Sequence, residues 1–398
     1  MRQIHFPVLL ANVADARARA FVVLFACDAI TRSILITLVP LQAYALFGAA
    51  RSVSIVYFSV AIVGLVTSLA LPILLRHIPR RWAMTIGAAC QILSGLLFML
   101  GTPASLVAGL AFQTLATAIL EVVINLYMMD HIPRRSLNVF EPRRLLFTGT
   151  AFAIGPWLGI YLHREIAEGL TYGVAILASL TLLVFFWILR LTDDPGLQAA
   201  KSVPLSPLRA IPRFAAQPRL VLAWILALGR NGFWVTFFIY APIYVTHAGY
   251  PPQIGGALVS LGLTPMLLVR IWGRIGRAIG LRNLLCAGYG LTGLSCIAAA
   301  AASLSDQPLL GIVLLWFAAA CGTIIDGAGN VPFLRAVHHY ERPAMTSVFM
   351  TFRHVGALAI PGILALVLWV LPLPYVFIFS GMITLVMAVL SRLLPRRL

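Results

Sequence analysis

Apolar residues in this chain are grouped in twelve runs of about 18 to 25 residues, separated by short polar breaks. A helix of about 20 residues at roughly 1.5 Å per residue crosses the hydrocarbon core of a bilayer once. Inside hydrocarbon every backbone N–H and C=O must find a partner within the protein, so successive runs of this kind can fold only as packed helices. The composition excludes a soluble alternative, with 61% of residues hydrophobic and 10% charged. The expected fold is therefore an all-α membrane protein of twelve transmembrane helices. The spans cover approximately 20–47, 53–75, 82–101, 105–129, 145–163, 169–190, 220–246, 254–275, 282–303, 308–334, 345–369 and 373–394.

The longest polar interruption, 191–219, contains Pro195, Pro204, Pro207, Pro212 and Pro218. It reads as a linker between a six-helix bundle over 1–190 and a second over 220–398. Cations orient the chain. Of 29 basic residues, 24 lie on the side of the termini and linker, two (Arg51 and Arg164) lie opposite, and Arg32, Arg230 and Arg353 fall inside spans. By the positive-inside rule both termini are expected in the cytoplasm, for a multi-pass protein of the bacterial inner membrane. The residues before span 1 read as a cytoplasmic lead-in rather than a signal peptide. A net charge of +17 would suggest nucleic acid in a soluble protein, but these arginines sit between apolar runs, and no nucleic-acid partner is expected.

Span 4 carries a polar stripe. Gln113, Thr117, Glu121 and Asn125 recur every fourth residue and share one helix face. A carboxylate at mid-membrane costs about 2.5–3.5 kcal/mol, so Glu121 should face protein or a wet cavity. Asp326 and Asn330 in span 10 repeat the spacing 205 positions later, and Pro361 follows Pro156 at the same offset. Asp28 and Pro40 of span 1 correspond to Arg230 and Pro242 of span 7 at 202. One slowly drifting offset implies a duplicated six-helix unit, as in many secondary transporters.

Enzyme signatures are missing: no HExxH, GxSxG or P-loop pattern occurs, and the only lysine is Lys201. His338 and His339 are adjacent and point to different faces, and the five cysteines show no ligand spacing. No cofactor, metal site or catalytic residue is expected.

These features together resemble the major facilitator superfamily over the whole chain. The loop after span 2 is similar to that family's GxxxDRxGRR signature through Pro72, Arg76, His77, Pro79, Arg80 and Arg81, and after span 8 through Gly273, Arg277, Gly280 and Arg282. The family's acid is replaced by Arg76 and Arg277. Both are expected to find acidic partners or helix C-terminal carbonyls at the cytoplasmic edge, with Asp130 the first choice for Arg76, Glu141 nearby, and Glu341 the first choice for Arg277. Gly149, Gly155, Pro156 and Gly159 resemble the span 5 motif of the family's drug–proton antiporters, and as bare chemistry imply close packing with a kink.

The resemblance implies that spans 1, 4, 7 and 10 line a central cavity. Three acids (Asp28, Glu121, Asp326) and three bases (Arg32, Arg230, and Arg353 from span 11) would then face one another. They suit an inner gate, proton or substrate binding, or simple helix–helix glue. Gln113, Thr117, Asn125, Asn231, Trp234, Tyr240 and Asn330 are the candidates for contact with substrate. The expected protein is a monomeric, proton-coupled secondary transporter of a small solute, with efflux favoured over uptake. A channel, receptor or lipid-handling protein is the alternative. Glu121 is the expected proton-coupling carboxyl, with Asp28 in competition, Asn125 one turn away to hold it, and Arg32 or Arg230 approaching in one conformation. A dry site favours the protonated acid and a nearby cation the ionised one.

Overall fold

In a computed structural model, residues 16–131, 137–189, 207–338 and 341–395 are described. Every regular element among them is helical. In the first half these are α1 (Ala16–Leu35), α2 (Leu38–Phe47), α3 (Ala50–His77), α4 (Arg80–Met99), α5 (Pro103–His131), α6 (Leu137–Tyr161) and α7 (Leu170–Ile188). A short helix, α8 (Pro207–Ala215), leads to the second half. There α9 (Pro218–His247), α10 (Pro252–Leu263), α11 (Val269–Ile279), α12 (Leu281–Leu304), α13 (Pro308–Ala328), α14 (Val331–Ala336), α15 (Arg342–Phe349), α16 (Thr351–Val370) and α17 (Tyr375–Ser391) follow. Among the described residues ten helical stretches are long and apolar enough to cross a membrane, and a bent pair makes eleven. The 17-residue apolar α17 is the remaining element at the position of the twelfth expected span.

Several spans are broken, each for a local reason. Span 1 divides into α1 and α2, and α2 stops at Gly48, whose φ of 72° lets its N–H reach the Tyr44 carbonyl. In span 8, Pro265 cannot donate a backbone hydrogen bond, and the chain runs through a 3-10 turn over Thr264–Leu268 before α11. Span 10 stops at Gly329, with φ of 53°, and resumes as α14. This break falls three residues after Asp326, where Gly322, Gly327, Gly329 and Pro332 form a helix-breaking composition. The proline-rich stretch 191–219, expected as linker, is not all loop: 207–215 forms α8 and α9 begins at Pro218.

The two halves repeat one packing order. In the first, α1 packs on α6 and α7, α4 on α5 and α7, and α3 on α5. In the second, α9 packs on α16 and α17, α12 on α13 and α17, and α10 on α13. Each contact has its counterpart, as a duplicated six-helix unit requires. Between the halves, α3 meets α16 and α6 meets α10, the swapped pairs of a pseudo-twofold arrangement, and α2 touches α9.

Apolar burial distinguishes the two ends. On the side away from the linker, Ile34, Leu38, Val39 and Val53 of the first half join Phe233, Phe237, Tyr240 and Leu258 of the second in one buried cluster. On the linker side the clusters stay separate, Phe21, Leu120 and Tyr127 in one half, Phe333, Phe349, Leu284 and Tyr289 in the other. Many large apolar side chains, among them Leu177, Leu294, Leu366 and Val389, are exposed on the outside. That exterior matches a hydrocarbon solvent.

Candidate functional site

Three ion pairs lie near the junction of the halves. Arg32 Nε is 3.1 Å from Asp28 Oδ2 within α1, one turn apart, and Gln91 Nε2 approaches Asp28 Oδ1 at 3.5 Å. Arg230 of α9 faces Asp326 of α13 at 3.6 Å. Trp234, one turn beyond Arg230, donates its indole N–H to Asp326 at 2.9 Å, while Arg230 reaches the Asn330 side-chain oxygen at 3.0 Å. The break at Gly329 brings Asn330 back towards α9, so the helix interruption builds part of this cluster. The third pair joins Glu121 of α5 to Arg353 of α16 and therefore bridges the halves.

Exposure separates the pairs. The Glu121 and Arg353 side chains are 41% and 48% accessible, whereas those of Arg230 and Asp326 are 13% and 19%. An exposed ion pair contributes at most about 1 kcal/mol, so thermal motion and water can open it. Removing one partner of a buried pair costs roughly 3–5 kcal/mol. The inter-half bridge is thus suited to breaking and re-forming, and the Arg230–Asp326–Trp234–Asn330 cluster to holding its shape.

The structure corrects several expectations. In this conformation Glu121 is paired with neither Arg32 nor Arg230, either of which is expected to approach it in one conformation only; Arg32 is held by Asp28 and Arg230 by Asp326. Asn125 donates to the Glu121 main-chain oxygen at 2.6 Å and does not hold the carboxylate. Tyr240 is fully buried, its hydroxyl 2.6 Å from Ser54 Oγ across the junction, so it closes the far side and lines no cavity. Asn231 turns to the Arg353 main-chain oxygen at 3.4 Å, beside Gly356, and acts in packing. Gln113, Thr117 and Trp234 are half-buried. Glu341 does not meet Arg277: it is buried between Arg213 of α8 and the Gln217 amide, which donates at 3.0 Å. The side chains of Arg76 and Asp130 lie outside the described residues. Arg81 and Arg277 are exposed, Arg282 is half-buried, and Arg80 has a partner.

Several groups at the junction carry no signal in the sequence pattern. Ser68 of α3 and His354 of α16 are 2.8 Å apart, a second link between the halves, next in sequence to Arg353. On the far side Tyr44 meets His247 at 3.1 Å, Gln253 donates to Glu165 at 2.5 Å, and the Trp157 main-chain N–H donates to Ser260 Oγ at 2.9 Å. Phe352 lies under both Arg230 and Arg353, at 5.9 and 6.0 Å from their guanidinium carbons, within cation–π range. An aromatic beside an intramembrane arginine is a signal that the residues 352 and 353 do carry.

A helical membrane protein built from two like halves, closed between them at one end and bearing exposed charge at the other, is a carrier-type architecture. The sequence profile of the Major Facilitator Superfamily matches residues 21–271, and the chain belongs to that family of transporters. Among solved structures, a point mutant of the nucleoside transporter NupG aligns with a TM-score of 0.74 at 14% identity, covering 94% of this chain and 98% of the other. A bacterial homologue of the iron transporter ferroportin in an inward-facing state gives 0.71 at 16% identity, covering 96% and 100%. A POT family transporter in complex with a thioalcohol-conjugated peptide gives 0.68 at 16%, covering 93% and 95%. At these identities the likeness concerns the fold. No curated protein sequence matches.

Proposed function

We propose that this chain is a proton-coupled secondary transporter of a small solute, working by alternating access, with the Glu121 carboxyl as its coupling group. The observation that carries this reading is the exposed Glu121–Arg353 pair, which ties the halves together opposite the sealed end. Protonation of Glu121 removes one charge of that pair, frees Arg353, and lets the halves rock about their junction. The moving bodies are the bundles 1–190 and 220–398, with α17 as the twelfth crossing. The cation split favours a cytoplasmic place for the termini and linker, which puts the sealed end on the far face of a bacterial inner-membrane protein acting as a monomer. Efflux is the favoured direction.

The solute comes first in the test. Nucleosides, peptides and iron, the cargoes named for its structural neighbours, form the opening panel for thermal shift in detergent, because a ligand of the folded state raises Tm. With a solute in hand, Glu121→Gln in proteoliposomes should abolish uphill transport driven by a proton gradient and leave solute exchange near the wild-type rate. Uphill transport with wild-type pH dependence in that variant would remove Glu121 from the mechanism.

A further inference from the structure

The second half of span 8 leaves the line of its crossing. Pro252–Leu268 and Ile271–Ile279 meet at 61°, which turns α11 aside where span 8 nears the linker side. α11 is two-faced. At 100° per residue Arg274 and Arg277 lie about 60° apart, and Ile271, Ile275 and Ile279 form an adjoining arc centred about 130° from them, with Ile271 next to Arg274. Both arginines are exposed, and so are Ile271 and Ile279. Neither arginine has an ion-pair partner among the described residues. The acid expected for Arg277, Glu341, is occupied by Arg213 and Gln217.

The inner edge of α11 is anchored. A Cβ at Gly276 would lie 2.9 Å from Leu284, and one at Gly327 would lie 2.5 Å from the Trp272 Cβ. Trp272 therefore packs directly on the residue that follows Asp326. The helix is fixed to span 10 on one side, offers isoleucines on another, and leaves two guanidinium groups without anions.

Those properties suit the boundary between acyl chains and headgroups, where apolar side chains sink and arginines meet phosphate. We propose that α11 is a docking site for anionic phospholipid, with Arg274 and Arg277 clamping the headgroup phosphate and Ile271 and Ile279 against the acyl chains. A planar guanidinium matches two phosphate oxygens at once, and basic residues beside an anionic surface strengthen the attraction to it. Lipid bound there braces the α11–α13 contact, one residue from the acid that holds Arg230 and Trp234. The leaflet concerned rests on the cytoplasmic assignment above; the lipid contact and its test do not depend on proton coupling.

The test uses the full-length protein in detergent, with phosphatidylglycerol and phosphatidylcholine as probes and native mass spectrometry and thermal shift as readouts. Phosphatidylglycerol should be retained and raise Tm, phosphatidylcholine much less, and Arg274→Gln with Arg277→Gln should weaken phosphatidylglycerol about tenfold or more. The double lysine variant should keep most of the binding, and Arg81→Gln with Arg392→Gln all of it. For a double glutamine variant that does not fold, the wild type decides: its phosphatidylglycerol affinity should fall as salt rises from about 50 to about 500 mM. Equal binding of the two lipids, undiminished binding by the folded glutamine variant, or binding indifferent to salt would overturn the proposal. Displacement by millimolar inorganic phosphate would also overturn it, in favour of a soluble-anion site.

Discussion

Gly256 offers a way to move the two halves without touching a charge. It lies on α10 where that helix crosses α6 at the sealed end. A Cβ placed there would be 3.0 Å from the Pro156 main-chain oxygen and Ile160 Cδ1, and 3.1 Å from Trp157 Cα. Two of these three atoms belong to the backbone and cannot swing aside, so Gly256→Ala must push α6 and α10 apart. Overpacking of this kind costs about 1–3 kcal/mol. In an alternating-access cycle that penalty falls only on the state whose far side is closed, which shifts the equilibrium towards far-side opening by about fivefold to over a hundredfold. Gly159→Ala is the control. A Cβ at 159 would press on the Ile34 carbonyl, a contact within the first half that both states retain. Spin labels at Glu168→Cys and Pro251→Cys, in a background without the five native cysteines, would report the far-side distance between the halves by double electron–electron resonance. Gly256→Ala should add a longer population, and Gly159→Ala should lower Tm with no change in distance. An unchanged distance distribution for Gly256→Ala, with a Tm loss like that of the control, would refute the assignment of this contact to one state.

Tyr240→Phe deletes one hydrogen bond across the sealed end while Ser54 keeps its bond to the Ala50 carbonyl at 2.9 Å. The same spin labels should show a shift of roughly two- to tenfold towards the open population, as expected for about 0.5–1.5 kcal/mol. Glu341→Gln should loosen α8, since it removes the charge that Arg213 holds; the mostly exposed Arg213 limits the loss to about 1 kcal/mol. Faster proteolytic cleavage around residues 207–215 with little change in Tm is the expected result, and cleavage at the wild-type rate would show that Ala210 and Phe214 alone hold the helix down.

The sequence makes visible what the bilayer penalises heavily. Unpaired charge and unpaired backbone in hydrocarbon are so unfavourable that apolar runs, internal charges and helix-breaking glycines stand out along the chain. Spans, the charged positions and the break after Asp326 were legible for that reason. Partners across the junction were not, because they depend on how α16 lies against α3, close enough to α5 for Arg353 to meet Glu121. The pairing of Arg230 and Trp234 with Asp326 follows a four-residue spacing that can be read directly. Tyr240 lies six residues beyond Trp234, which at 100° per residue places it about 120° away, so the two cannot serve one cavity face. Helix α8 was hidden by its prolines: Pro207 opens it and Pro212 sits inside it, while Ala210 and Phe214 bind the apolar cluster of the second half.

The duplication also explains why a charge pair crosses between the halves. Position for position, Asp28 answers to Arg230 and Glu121 to Asp326. In the second half these positions carry opposite signs, and they satisfy each other between α9 and α13. In the first half both are acids, so the equivalent contact between α1 and α5 would set two carboxylates together. Asp28 therefore takes Arg32, one turn along its own helix. Glu121 meets Arg353 of the other half. A single difference of sign between repeated positions thus turns a contact that stabilises one bundle into a contact that links two. The second bundle carries its acid in a buried cluster, and the first carries its acid at the boundary between the halves, which is where a proton has to act if it is to change the relation between them.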